Sequence, residues 1–253
     1  MNDFATPILV FVAAFLVAGF IKGVLGMGLP TIAMGLLGVV FAPVQAAALL
    51  LVPNFILNVW QATSGPSMAA LARRLWPLGA GVWAGIWMGA GILTGPNVRL
   101  ATLCLGVVIV LYGCLGFVRV PFRVPRRHEF WLSPLAGLIT GAVTGATGVF
   151  VIPGVPYIQA LGFEKEELIQ ALALAFIVSC LSLGSALVLR GAVTPTLALG
   201  STVALAPALL GMLLGQRLRL RISAQAFRTA FFIGMIMLGA YLVLRNLPWP
   251  AAQ

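Results

Sequence analysis

Few residues in this chain are placed to do chemistry. Lys22 is the only charged residue set inside a long apolar segment, Pro7 to Leu25, away from any loop. A charge at that depth costs about 3 kcal/mol or more unless it is paired or faces water, which marks it as functional. The competing reading is a side chain that snorkels to the near interface. No acidic residue lies at comparable depth, so a negative partner must be a substrate, a lipid headgroup or helix-end carbonyls. Just beyond it runs Gly26-Met27-Gly28-Leu29-Pro30, where glycine lets the backbone turn and Pro30 suits the first turn of a helix. A helix that starts inside a membrane aims free amides and its positive dipole end at whatever lies there, which is an anion site. Gly145-Ala146-Thr147-Gly148 repeats the arrangement, with the hydroxyls of Thr144 and Thr147 added. The alternative for both stretches is that the glycines serve close helix packing.

Neutral donors accompany these breaks. Asn54, Asn58 and Gln61 fall on one helical face at spacings of four and three, and Ser179, Ser182 and Ser185 do so later in the chain. Such faces either glue helices together or line a polar cavity that binds oxyanions. Gln45 and Gln170 open the two corresponding segments, where capping is the simple explanation. The candidate substrate site is therefore Lys22, Gly26, Gly28, Asn54, Asn58, Thr144, Gly145, Thr147, Gly148 and Ser179, with Lys22 and helix starts at Gly28 and Gly148 as the anion ligands. Catalytic, metal and cofactor sites are not expected. The one histidine, His128, lies in a basic linker, no carboxylate interrupts an apolar run, and no Walker loop or nucleophile elbow is present. Cys104, Cys114 and Cys180 lie inside apolar runs and read as core packing.

The elements that must position these residues follow from composition. Of 253 residues, 61 % are apolar and 8 % charged, more apolar surface than a water-soluble globule could cover. The apolar segments are Pro7–Leu25, Leu29–Phe41, Val44–Ala62, Leu75–Thr94, Leu100–Val118, Phe130–Gly148, Val149–Phe163, Leu168–Leu189, Val193–Gly215 and Ala224–Leu244. Their length and lack of period-2 alternation exclude a barrel, so all ten read as helices of an all-α polytopic membrane protein. A net charge of +10 would suggest nucleic acid in a soluble chain, but here the arginines sit between apolar runs. The expected partners are the lipid bilayer and a small anion, not nucleic acid; a homo-oligomer is left open.

The two halves resemble each other. Gly19-Phe20-Ile21-Lys22-Gly23 answers Gly137-Leu138-Ile139-Thr140-Gly141, and Gln45-Ala46-Ala47-Ala48-Leu49 answers Gln170-Ala171-Leu172-Ala173-Leu174, which sets Asn54 opposite Ser179. If each glycine-rich break makes an out-and-back hairpin, one side collects Arg73, Arg74, Arg119, Arg123, Arg126, Arg127, Lys165, Arg217, Arg219, Arg221 and Arg228, and the other Arg99, Arg190 and Arg245. The positive-inside rule favours that arrangement over the alternative, in which the basic residues divide eight against six. Five segments per half then make two inverted repeats, residues 1–118 and 130–246, joined by a cytoplasmic linker at 119–129 and followed by a tail at 247–253, with both termini periplasmic. Leu29–Phe41 would span ~20 Å as a helix, so a second arm ending near mid-membrane is expected. Asp3 and the lack of an N-terminal basic residue argue against a cleaved signal peptide.

The chain resembles the TauE/SafE family of membrane transporters, often described as sulfite exporters. The resemblance lies in the duplicated glycine-rich stretches, Gly19 to Pro30 and Gly137 to Pro153, each followed by a short apolar segment and a helix opening with Gln-Ala. It implies a bacterial inner-membrane carrier that moves sulfite, a sulfonate or a related organic acid. The alternative from another class is an accessory membrane subunit in which the glycines only pack. No proton carrier stands out, so proton coupling would have to use Lys22, the substrate itself or a loop carboxylate.

Overall fold

The computed structural model describes residues 5–65, 67–117, 123–219 and 223–247. Among them the chain forms ten helices: α1 Ala5–Leu25, α2 Leu29–Leu37, α3 Pro43–Thr63, α4 Met68–Thr94, α5 Val98–Leu115, α6 Arg126–Thr147, α7 Gly154–Ala160, α8 Lys165–Leu189, α9 Pro195–Leu218 and α10 Ala224–Asn246. All but α2 and α7 are long and apolar enough to cross a membrane, as a multi-pass membrane protein requires. Asp3, Arg221, residues 119–122 of the linker, the tail beyond Leu247 and the position of the N-terminus lie outside the described residues.

Hydropathy misplaces some boundaries, each for a local reason. Helix α4 begins at Met68 rather than Leu75, because Arg73 and Arg74 are good helix formers and Arg74 has a carboxylate partner at hand. The expected helix Val149–Phe163 is helical only over Gly154–Ala160. Gly148 takes φ 75 and ends α6, and Pro153 disfavours helical geometry at Ile152. Leu29–Phe41 shortens to a nine-residue helix. The cysteines do not all pack in the core: Cys180 is buried, but Cys104 is half-buried and Cys114 exposed on α5. An outward face that meets lipid is as apolar as a core, so composition could not separate the two.

Hydrogen bonds between helix ends fix the directions. The ends of α1 and α3 meet where Lys22 bonds Gln61, the starts of α4 and α8 where Ser67 bonds Gln170, the starts of α4 and α6 where Arg74 bonds Glu129, and the start of α10 meets the end of α5 where Arg228 bonds the Gly116 carbonyl. On the opposite face Arg245 donates to the Val39 carbonyl, Arg99 to that of Asn246, and Arg190 to Thr94. The chain after α2 thus reaches the far face through α2 plus its following turn. At the first of these faces α1, α3 and α5 end and α4, α6, α8 and α10 begin. Arg73, Arg74, Arg123, Arg126, Arg127, Lys165, Arg217, Arg219 and Arg228 belong to one face, called the basic face below, and Arg99, Arg190 and Arg245 to the other.

The main helix pairs are α1 with α9, α4 with α6, α5 with α10, α3 with α8, α3 with α9 and α4 with α8. Exchanging α1–α5 for α6–α10 leaves that set of pairs unchanged. Three pairs are in backbone contact, α5 with α10 at Gly106 and Gly239 and two others along longer stripes. A Cβ on Gly19 or Gly23 would collide with the carbonyls of Ala208 and Met212 on α9, and one on Gly137, Gly141 or Gly145 with those of Leu78, Val82 and Ile86 on α4. Glycines spaced by four therefore let these helices touch along a stripe, the small-xxx-small solution of membrane bundles.

Candidate functional site

The break after α1 is built from glycines that cannot be replaced without strain. Gly26 and Gly28 have φ of 78° and 100°, and Gly28 stands at the N-terminus of α2. Pro30 sits in the first turn of α2, and Thr31, the third residue, carries a buried hydroxyl with no partner among the described residues. The chain reversal sets Lys22, in the last turn of α1, against the polar face of α3.

Lys22 is 3 % exposed, so it does not snorkel to the surface. Its Nζ donates to Asn58 Oδ1 at 2.7 Å and Gln61 Oε1 at 2.9 Å. Asn58 Nδ2 in turn donates to the backbone oxygen and Oδ1 of Asn54, at 2.6 and 2.8 Å, and Gln61 Nε2 to the Gly26 carbonyl at 2.9 Å. A hydrogen-bonded line thus runs from Asn54 through Asn58, Lys22 and Gln61 to the first break. The ion pair found among the described residues is elsewhere, between Arg74 and Glu129, so Lys22 has neutral partners there.

Three cavities surround this line. Lys22 lies in a cleft of about 150 Å³ that also touches Gln61, Glu166, Gln216 and Arg219 at the basic face. A larger vestibule of about 720 Å³ on the same face is lined by Lys165, Arg219, Arg228 and Tyr112, and by Gly26, Met27, Ile152 and Pro153 from both breaks. The third is a void of about 20 Å³ between the halves, lined by Pro30, Asn54, Gly148, Phe150, Phe176, Ser179 and Cys180. Gly148 is needed there because a Cβ would stand 2.8 Å from Met34 Cε and 3.2 Å from Ala47 Cβ. Ser179 is 4 % exposed, and its hydroxyl makes no hydrogen bond among the described residues. Phe176, edge-on to Phe150 at 5.2 Å and 5.9 Å from Lys22 Nζ, stands between the lysine and the void.

The sequence-derived residues divide accordingly. Asn54, Gly148 and Ser179 meet at the void, while Lys22, Asn58, Gly26 and Gln61 form the line beside it. Gly28 starts α2 as expected. The second helix start is not at Gly148: that residue ends α6, and the seven-residue α7 follows only at Gly154. Thr144 and Thr147 donate to the carbonyls of Thr140 and Val143 in their own helix, and Gly145 faces α4. Helical back-bonding of this kind is the ordinary outcome for a threonine in an apolar helix. Gln45 caps α3 by accepting from the Ala42 amide. Gln170 does more than cap, since it accepts from the Ser67 amide and donates to the Ala62 and Gly65 carbonyls, latching the α3–α4 turn to α8. Phe150, Phe176, Gln216 and Arg219 were not singled out by sequence; one aromatic among fifteen phenylalanines carries no local signal.

The family model described as sulfite exporter TauE/SafE matches residues 11–242. No curated protein and no solved structure matches the chain. A match over nearly the whole length places the chain in the TauE/SafE family of membrane transporters.

Proposed function

We propose that this TauE/SafE family member is a secondary carrier for a small anion, and that the cleft at Lys22 and the void between the halves are two stations on one path. The observation that carries this reading is a buried lysine held by neutral amides alone, one residue away from a void with an unpartnered serine hydroxyl. A structural role would bring a carboxylate to Lys22; a transient anionic partner leaves that place open. Arginines and a lysine around the vestibule raise the local concentration of anions before they reach the cleft.

A void of about 20 Å³ holds about one water, so the inner station is too small for an anion in this conformation, whereas the cleft at Lys22 is several times larger. Alternating access requires the anion to pass Phe176 as the halves shift, and the stripe contacts of α1 with α9 and α4 with α6 supply two rigid bodies for that motion. We read the exchange-invariant helix pairs as an inverted repeat, the basic face as cytoplasmic and both termini as periplasmic in a bacterial inner membrane. The family suggests sulfite, a sulfonate or a related organic acid as substrate.

Flux of radiolabelled sulfite, sulfonates and short carboxylates into proteoliposomes tests the carrier reading. Absence of flux for the whole panel would favour a non-transporting accessory subunit. Thiol labelling of cysteines introduced at Lys165 and Arg190 tests the orientation, which fails if Lys165 reacts from the periplasm.

A further inference from the structure

We propose that Lys22 carries a proton with the anion, as an uncharged amine when the site is empty and an ammonium when it is filled. This rests on the carrier reading above. An uncharged amine has two N–H donors and a lone pair, whereas an ammonium has three donors. The structure provides two acceptors, Asn58 Oδ1 and Gln61 Oε1. Both amides are held with their oxygens toward the lysine, because their nitrogens are engaged by Asn54 and by the Gly26 carbonyl. A third N–H finds no hydrogen-bond acceptor among the described residues. The Phe176 ring at 5.9 Å lies at the outer limit of cation–π contact and does not replace one.

The charged groups around this point do not supply the missing partner. From α8, Glu166 lines the cleft but is exposed, and from α9 Arg219 adds a like charge. Helix α3 offers neutral amides, α2 has no titratable residue, and Arg228 on α10 is engaged with the Gly116 carbonyl and the Phe232 ring. An ammonium in the empty site is therefore a buried charge without a counter-ion, and the proton is better lost to water in the cleft. An arriving anion brings both the counter-charge and the third acceptor. Proton and anion then raise each other's affinity by the same factor. The step balances without any co-reactant: the amine lone pair takes one proton from cleft water when the anion binds, and the proton leaves when the anion does. For a monoanion, the filled and the empty site have the same net charge.

The test uses the full chain in proteoliposomes with a lumenal pH dye, and ethanesulfonate, a strong-acid anion, as probe, with sulfite run in parallel and corrected for the protons sulfite itself binds. The expected result is about one proton entering with each anion and a flux that an imposed potassium diffusion potential changes by less than twofold. Lys22→Arg keeps a cation that cannot release its proton; it should lower flux at least tenfold, and Lys22→Met should abolish proton movement. Anion flux without a pH response, or flux that follows the potential, would overturn the proton role and leave the carrier reading standing. No flux of either probe would overturn both.

Discussion

Replacing Lys22 by methionine keeps the volume of the side chain and removes its amine. Two effects on the empty protein oppose each other. Asn58, fully buried, loses the donor to its Oδ1, and leaving a buried acceptor unsatisfied costs about 1–3 kcal/mol. Gln61 is only half-buried and can turn its oxygen to water in the cleft. Against this, a lysine at membrane depth costs about 2.5–3.5 kcal/mol on insertion scales, whether as a buried charge or as the work of deprotonating it, and methionine relieves that cost. The net change runs from a loss of about 0.5 to a gain of about 2.5 kcal/mol, and with about 2–4 °C per kcal/mol for a chain of this size the unfolding midpoint should fall by no more than about 2 °C or rise by no more than about 10 °C. Anion binding should suffer far more, because a hydrogen bond to a charged group contributes about 1.5–3 kcal/mol, or roughly 10- to 150-fold in affinity. At an anion concentration about 100 times the original Kd, a 100-fold loss cuts ligand-linked stabilisation from about 2.7 to about 0.4 kcal/mol. Thermal unfolding of both proteins in graded sulfite and ethanesulfonate measures the two effects separately. Undiminished stabilisation by the anion would refute a ligand role for Lys22, and a midpoint lowered by 10 °C or more without anion would refute the claim that a lysine buried there is costly.

Gly141→Leu should destabilise by about 3 kcal/mol or more, because the new side chain meets backbone of α4 that cannot yield, whereas Gly234→Ala meets nothing within 4 Å and should be neutral or slightly stabilising; thermal unfolding compares them. Gln170→Ala breaks three hydrogen bonds that latch the α3–α4 turn, so amide exchange over residues 62–67 should speed up by at least tenfold while α5 and α10 are unaffected. Ser179→Leu fills the void and should abolish flux while the fold survives, and Ser179→Ala, which removes a hydroxyl without a partner, should change stability by less than about 0.5 kcal/mol; flux and unfolding assays read the two outcomes.

Helix number and type were legible in the sequence because apolar length is a strong signal, and the basic asymmetry predicted which helix ends share a face. What sequence could not resolve was the meaning of each glycine. Gly26, Gly28 and Gly148 turn the chain with positive φ, while Gly19, Gly23, Gly137, Gly141 and Gly145 bring helices into contact, yet all belong to the same two motifs. The spacing of four distinguishes the second group in hindsight, since only glycines one turn apart can form a stripe. Thr144 and Thr147 misled for a related reason: a hydroxyl near a break can serve a ligand or its own helix, and the choice is made by backbone geometry. The line from Asn54 to Lys22 was half visible, since spacing placed Asn54, Asn58 and Gln61 on one face, but nothing local said that the face would turn toward α1.

The match between the halves breaks at the residue on which transport is proposed to depend. The sequence overlay sets Lys22 opposite Thr140, and Thr140 is a satisfied buried residue whose hydroxyl donates to the Ala136 carbonyl. Because α1 and α6 run in opposite directions, Lys22 lies toward the basic face and has no charged counterpart toward the other. If the halves exchange conformations during the cycle, the two access states are similar in packing but differ in where the buried lysine sits. The anion therefore meets a site that can take up a proton when it comes from the basic face and one that cannot when it comes from the opposite face. Placing a second lysine by Thr140→Lys would remove that difference. In proteoliposomes of uniform orientation, the apparent affinity for ethanesulfonate should be at least tenfold stronger from the basic face in the original chain, and the ratio should fall toward one in the variant if it folds. Equal affinities from both faces in the original chain would show that Lys22 does not set the asymmetry.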